Sequence, residues 1–136
     1  MRAMVDLSLN SNGSPVSLRE IASRENISLN YLEQLFHRLK KGAVVLSVRG
    51  PGGGYMLARD SASIRLGEIV TLVEEPLAPV ACMEDGKKGC TRGDICVTHK
   101  VWQGLGERIR GFLDSITLAD MVREARGGVI NDLHGP

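Results

Sequence analysis

Aromatic residues are scarce in this 136-residue chain, with one Trp, two Tyr and two Phe. Core and interface must therefore rest mainly on Leu, Ile, Val and Met. No apolar run reaches the ~20 residues of a membrane-spanning helix, and the opening Met1-Arg2-Ala3-Met4-Val5-Asp6 lacks signal-peptide architecture. A cytoplasmic location with no membrane partner is expected. Cysteine is also sparse: three residues, an odd number, all lie between positions 82 and 96. A secreted disulfide framework would use an even number spread along the chain. Neither sign of charge dominates, because 17 Lys and Arg face 16 Asp and Glu for a net +1. That sum is unpromising for nucleic acid, but distribution matters more than total. The length fits one domain, or one domain with a protruding dimerisation element.

Between Ser28 and Arg59 five bases, Arg38, Lys40, Lys41, Arg49 and Arg59, stand against a single acid, Glu33. Acids gather elsewhere, as in Glu74-Glu75 and Glu84-Asp85. A near-neutral chain with one basic stretch suits a groove-docking module; the same stretch alone also describes an ordinary solvated face.

Met1, Met4, Val5 and Leu9 recur at helical spacing, so the chain opens inside an amphipathic helix with no N-cap before it. The helix is expected to be frayed or to lack its first turns. Asn10 to Pro15 reads as a turn. Ser17 with Glu20 forms a capping box for a short helix burying Leu18, Ile21 and Ala22. After Asn26-Ile27, Ser28 caps a second helix over Leu29 to Lys41, with Leu32, Leu35, Phe36 and Leu39 inward and Gly42 as its stop. Two helices joined by so short a turn form a helix-turn-helix signature, although any packed helix pair would show it. Val44 to Val48 then reads as a strand, Arg49-Gly50-Pro51-Gly52-Gly53-Gly54 as a turn, and Tyr55 to Ala58 as a returning strand. That order describes a winged helix. Glycines at the tip permit positive φ and close approach to a phosphate backbone. The tip lacks the Gly-Lys-Ser/Thr ending of a nucleotide-binding P-loop.

A further helix starts at Ser63, with Leu66, Ile69, Val70 and Val73 on one side, and Pro76 and Pro79 end it. The cysteine segment reads as a loop. Beyond it, Trp102, Leu105, Ile109, Phe112 and Ile116 step by 3, 4, 3 and 4, the rhythm of a helix packed on another helix. The partner is either a second copy or the chain's own domain. Gly104, Gly106 and Gly111 weaken this helix, so tertiary or dimer contacts must hold it. Thr117 and Asp120 cap a short final helix, and 127–136 forms a flexible tail. The expected fold is mainly α: a winged helix-turn-helix domain over 1–75 with a two-stranded wing, a cluster-binding loop over 76–99, and a long C-terminal dimerisation helix with a short final helix over 100–126.

The soft ligands are spaced Cys82-x7-Cys90-x5-Cys96-x2-His99. No Cys-x-x-Cys occurs, which argues against a thioredoxin-type dithiol and a zinc ribbon. Three thiolates and one imidazole suit a [2Fe–2S] centre. Zinc in a Cys3His site and reversible thiol oxidation stay open, and the alternative for His99 is a surface histidine beside Lys100.

The stretch Ile27-Ser28-Leu29-Asn30-Tyr31-Leu32-Glu33-Gln34-Leu35-Phe36, with Ser47-Val48-Arg49-Gly50-Pro51-Gly52-Gly53-Gly54-Tyr55, resembles the IscR-type iron–sulfur cluster regulators, which are bacterial winged-helix transcription factors. The similarity runs on through the cysteines, Thr98-His99 and Trp102 to Phe112-Leu113-Asp114-Ser115-Ile116-Thr117-Leu118. The resemblance implies a homodimer joined by antiparallel C-terminal helices, bound to double-stranded DNA with recognition helices in adjacent major grooves and wings in minor grooves. By position, Ser28, Asn30, Tyr31, Glu33 and Gln34 would face DNA, Arg49 would enter the minor groove, and Arg38, Gly52 and Gly53 complete the expected set. Glu33 can accept from cytosine N4 yet repels phosphate, so it is the residue implied to sort sites as cluster loading changes. The first two cysteines are spaced more widely than in the best-known members, closer to a [4Fe–4S]-bearing cousin, so [4Fe–4S] stands as the lesser alternative to [2Fe–2S]. The family's first helical turns, which touch DNA backbone and partner, are missing here, and weaker binding is expected. A transcription regulator rather than an enzyme follows. A ferredoxin-type electron carrier would leave the basic helix and wing without purpose, and no poised acid–base pair supports a thiol redox enzyme. A winged-helix regulator without a cluster, sensing thiol oxidation or a small molecule, is the runner-up.

Overall fold

The computed structural model describes residues 1–73 and 97–127. Cys82, Cys90 and Cys96, with the rest of 74–96 and the tail from 128, lie outside the described residues. Six α-helices and a two-stranded antiparallel sheet follow one another as α1 (Arg2–Asn10), α2 (Leu18–Glu25), α3 (Leu29–Lys41), β1 (Val45–Val48), β2 (Gly54–Leu57), a 3-10 turn (Ser61–Ser63), α4 (Leu66–Leu72), α5 (Val97–Asp114) and α6 (Leu118–Ala125).

One hydrophobic core joins nearly all of them. Met4 and Leu7 from α1, Ile21 from α2, Leu32, Phe36 and Leu39 from α3, Ile69 from α4 and Leu118 from α6 are buried together. In α1 the inward face is Ala3, Met4 and Leu7, while Met1 is exposed and Val5 and Leu9 are half-buried. The stripe expected from Met1, Met4, Val5 and Leu9 is thus rotated. A carboxylate explains the shift: Asp6 is only 4% exposed and lies on the inward side. Arg24 of α2 reaches it in a forked pair, Nε to Oδ2 at 2.9 Å and Nη2 to Oδ1 at 2.7 Å. Asn10 Nδ2 also donates to the Asp6 carbonyl at 2.9 Å. The hydrogen bond to Asp6 favours the charged guanidinium and raises the Arg24 pKa. This charge-assisted fork fastens α1 to α2.

Local signals hold where side chains close their own hydrogen bonds. Ser17 and Glu20 form the reciprocal capping box of α2, and Thr117 and Asp120 form that of α6. The backbone N–H of Thr117 donates to the Asp120 carboxylate and holds its pKa below the usual carboxylate value. Two expectations change. Gly42 ends α3 without a left-handed conformation, at φ −80°. The left-handed residue is Ala43, φ 56°. Ala43 N–H bonds to the Lys40 carbonyl and Val44 N–H to that of Leu39, the paired bonds of a Schellman cap. Gly42 is required for another reason, since a Cβ there would collide with the Leu72 side chain of α4. The helix expected from Ser63 starts later, at Leu66. Ile64 is extended instead, and residues 64–66 pair with 116–118 through Leu66 N–H to the Ile116 carbonyl and Leu118 N–H to the Ile64 carbonyl. Residues before α4 and before α6 thus cross-tie, and the C-terminal helices are tied to the body.

An alanine in the left-handed region carries a Cβ penalty that glycine avoids. Ala43→Gly is therefore expected to stabilise the fold by about 1 kcal/mol. Chemical denaturation checks this, and a lower unfolding midpoint would contradict the cap.

Candidate nucleic-acid interface and cluster ligands

Helices α2 and α3 are joined through Asn26, which adopts the left-handed conformation at φ 53° and donates its backbone N–H to Ala22. Ile27 N–H bonds to the same carbonyl at 3.1 Å. Ser28 follows as N-cap, its Oγ accepting from Tyr31 N–H at 3.4 Å. The turn is therefore closed by its own hydrogen bonds, and α3 starts at a fixed point.

Burial of Leu32, Phe36 and Leu39 sets the phase of α3. The opposite face then carries Asn30, Tyr31, Glu33, Gln34, His37, Lys40 and Lys41, all exposed, with Tyr31 50% open to solvent. The side chains of Asn30, Glu33, Gln34 and His37 make no hydrogen bond or ion pair among the described residues. His37 and Lys41 share this face and were not in the expected DNA-facing set. The signal was available, for Asn30, Gln34, His37 and Lys41 step by 4, 3 and 4. Arg38 differs from its neighbours: it is half-buried, and its Nη1 donates to the Val73 carbonyl at the end of α4, 3.3 Å away.

The wing is fixed to this helix. β1 and β2 pair with Val45 opposite Leu57 and Val48 opposite Gly54. Tyr55 exchanges both backbone hydrogen bonds with Val16, at 2.8 and 2.9 Å, and its ring meets Phe36 of α3 edge-on with centroids 5.0 Å apart. At the tip, Gly53 N–H bonds to the Gly50 carbonyl at 2.9 Å across Pro51 and Gly52. Gly52 has φ +74°, so this is a type II turn, with proline and glycine where that turn needs them. Gly53 has an internal reason to be glycine, because a Cβ would collide with the Val48 carbonyl oxygen. Gly52 meets nothing within 4 Å and stands open. Arg49 is exposed at the base of the turn and has no intramolecular ion pair among the described residues. Arg59, by contrast, pairs with Glu68.

His99 sits in the first turn of α5 and is half-buried. Val97 to His99, expected in the loop, are helical. Among the described residues no group of three His, Cys, Asp or Glu side chains converges as a metal site. Three sulfur donors and an imidazole match the soft ligand set that iron–sulfur and zinc centres take. Further along α5, Trp102, Leu105 and Phe112 are 38%, 41% and 44% exposed, and Ile109 is half-buried. Ile116 enters the core, as does Leu113 in part. Most of the expected stripe is thus left uncovered by the described residues. No helix among the described residues is long and apolar enough to cross a membrane.

A helix-turn-helix with an exposed polar face and a wing anchored to it is the architecture of winged-helix DNA-binding transcription regulators. Residues 1–124 match the family described as Rrf2, iron-dependent transcriptional regulator, and the chain belongs to that family. It is 52% identical over 120 residues to the HTH-type transcriptional regulator IscR of Klebsiella pneumoniae (strain 342), covering 88% of this chain and 72% of that protein. Among solved structures it resembles T. potens IscR at 39% identity and TM-score 0.74, over 96% of this chain and 85% of that one. It also resembles CymR, the global cysteine regulator of B. subtilis, at 32% identity and TM-score 0.71, over 89% and 88%.

The guanidinium of Arg49 has no hydrogen bond or ion pair among the described residues, and arginine favours the negative potential of a narrow minor groove. Arg49→Ala should weaken DNA binding by about 1–2 kcal/mol, roughly tenfold, with folding unaffected. Fluorescence anisotropy on a short duplex measures it, and unchanged affinity would remove the wing from the interface.

Proposed function

We propose that this regulator binds double-stranded DNA as a homodimer, with its site preference set by an iron–sulfur cluster on Cys82, Cys90, Cys96 and His99. The observation that carries the proposal is the double role of α5. One helix bears His99 in its first turn and the exposed Trp102, Leu105 and Phe112 along its length. Ligation at one end of a helix bears directly on how its other residues meet a partner. The segment holding the cysteines leaves α4 at Val73, whose carbonyl is bonded to Arg38 of α3, and re-enters at Val97 of α5. Both of its anchor points therefore lie on the reading and joining machinery.

In the proposed complex Ser28, Asn30, Tyr31, Glu33 and Gln34 present α3 to the major groove. Arg49 enters the minor groove, with Gly52 and Gly53 keeping the tip slim. Glu33 selects sites, since a carboxylate accepts from cytosine N4 and repels phosphate. Arg38 keeps its bond to Val73 and positions α3. When bound, the cluster supplies redox- and iron-dependent occupancy, and the imidazole makes it less negative than four thiolates would. A [2Fe–2S] centre fits the donor set best, with [4Fe–4S] second. The alternative is a cluster-free regulator that responds to oxidation of the same thiols or to a small molecule.

The Cys82→Ala, Cys90→Ala, Cys96→Ala variant should lose visible absorbance, iron and sulfide after anaerobic purification, while keeping its helical circular dichroism. Colourless wild-type protein with stoichiometric zinc would overturn the cluster. Iron-loaded and empty wild type with identical preferences across a duplex library would overturn the coupling. For the dimer, Leu105→Glu should yield monomers in sedimentation and lower affinity for a two-half-site duplex by more than about tenfold through lost bivalency. A monomeric wild type would refute the joining role of α5.

A further inference from the structure

His37 occupies the centre of the exposed face of α3, flanked by Asn30, Glu33 and Gln34 before it and Lys41 after it. At ~1.5 Å rise per residue it lies about 10 Å beyond Asn30, well inside the length a recognition helix lays in a groove. Its imidazole has no hydrogen bond or ion pair among the described residues. The surrounding charge is asymmetric. Glu33 sits one turn earlier, Arg38 is adjacent, and Lys40 and Lys41 follow. On the elements packed against α3, β1 carries no titratable side chain. Glu20 caps α2, Arg24 of α2 is paired with Asp6, and Glu68 of α4 with Arg59, leaving Arg19 and Glu25 as the remaining charges of α2.

Of side chains with ordinary pKa values, only histidine changes charge between about pH 5 and 8. Neutral, it offers one donor and one acceptor; protonated, it offers two donors and a positive charge. DNA presents phosphate oxygens and the guanine N7 and O6 acceptors, all of which favour the charged form. We propose that His37 is a proton-linked DNA contact, so that the complex takes up a proton at α3 and tightens as pH falls. The inference rests on the DNA-reading role of α3 and adds a residue and an input to it. The sign follows from linkage: a complex that takes up a proton on forming gains affinity as pH falls.

The test is binding of the full-length wild type to a cognate duplex at constant ionic strength, at pH 6.0, 6.75 and 7.5, beside H37A, H37Q and H37K. Wild type should bind roughly fourfold tighter at pH 6.0 than at pH 7.5. H37A and H37Q should lose most of that dependence, since glutamine can donate but cannot titrate. H37K should stay tight at every pH. Any dependence arising at His99 or the thiols persists in all four proteins and cancels in the comparison. Equal pH slopes for wild type and H37Q, with DNA binding intact, overturn this inference alone. No specific binding by the wild type at any pH overturns the DNA-reading role itself.

Discussion

The packing of Phe36 against Tyr55 fixes the wing on α3, the two elements proposed to read DNA. Phe36 is fully buried and sets the phase of α3, so its burial forces Asn30, Gln34 and His37 outward. Tyr55 meets that ring edge-on and is tied through its backbone to Val16, just before α2. Recognition helix, wing and helix-turn-helix entry thus converge on two of the chain's five aromatic residues. A wing hinged on a two-stranded hairpin alone would be marginally ordered. Anchored here, it holds Arg49 at a set distance from α3, as simultaneous binding in two grooves requires.

Against this rigid reading head, α5 is left unfinished. Gly106 and Leu113 face its own body, and the side carrying Trp102, Leu105 and Phe112 opens to solvent. Three glycines make the helix weak by propensity, and it caps with no well-packed face of its own along much of its length. A helix in that condition gains order from whatever covers it. In the proposed dimer, stability at α5 and assembly would therefore be one quantity rather than two.

Much of this was legible in the residues, because several signals were local. Ser17 with Glu20 and Thr117 with Asp120 name their own helix starts, and the Pro51-Gly52 pair names its turn. The stripe on α5 shows a packing face without showing what packs on it; the exposure of Leu105 and Phe112 says only that the described residues leave it open. What stayed hidden depended on contacts distant in sequence. Asp6 looks like a surface residue until Arg24 reaches it, and its burial rotates α1. Gly42 reads as a left-handed cap, whereas its smallness answers Leu72 and the left-handed position falls to Ala43. Arg38 reads as one more base on a recognition helix, yet its partner is a carbonyl 35 positions away. On the exposed face of α3, His37 shows in the sequence only through its helical spacing from Asn30, Gln34 and Lys41.

The Arg38–Val73 bond also bears on how a distant pocket can alter reading. A tenfold change in preference between two DNA sites needs only about 1.4 kcal/mol of coupling. A hydrogen bond from a charged group contributes roughly 1.5–3 kcal/mol. One such bond, made or broken at Val73, is thus large enough to shift α3 between two fits in the proposed complex. No reorganisation of the buried core is required. The core residues Leu32, Phe36 and Leu39 can remain in place while the exposed edge of the same helix is retuned.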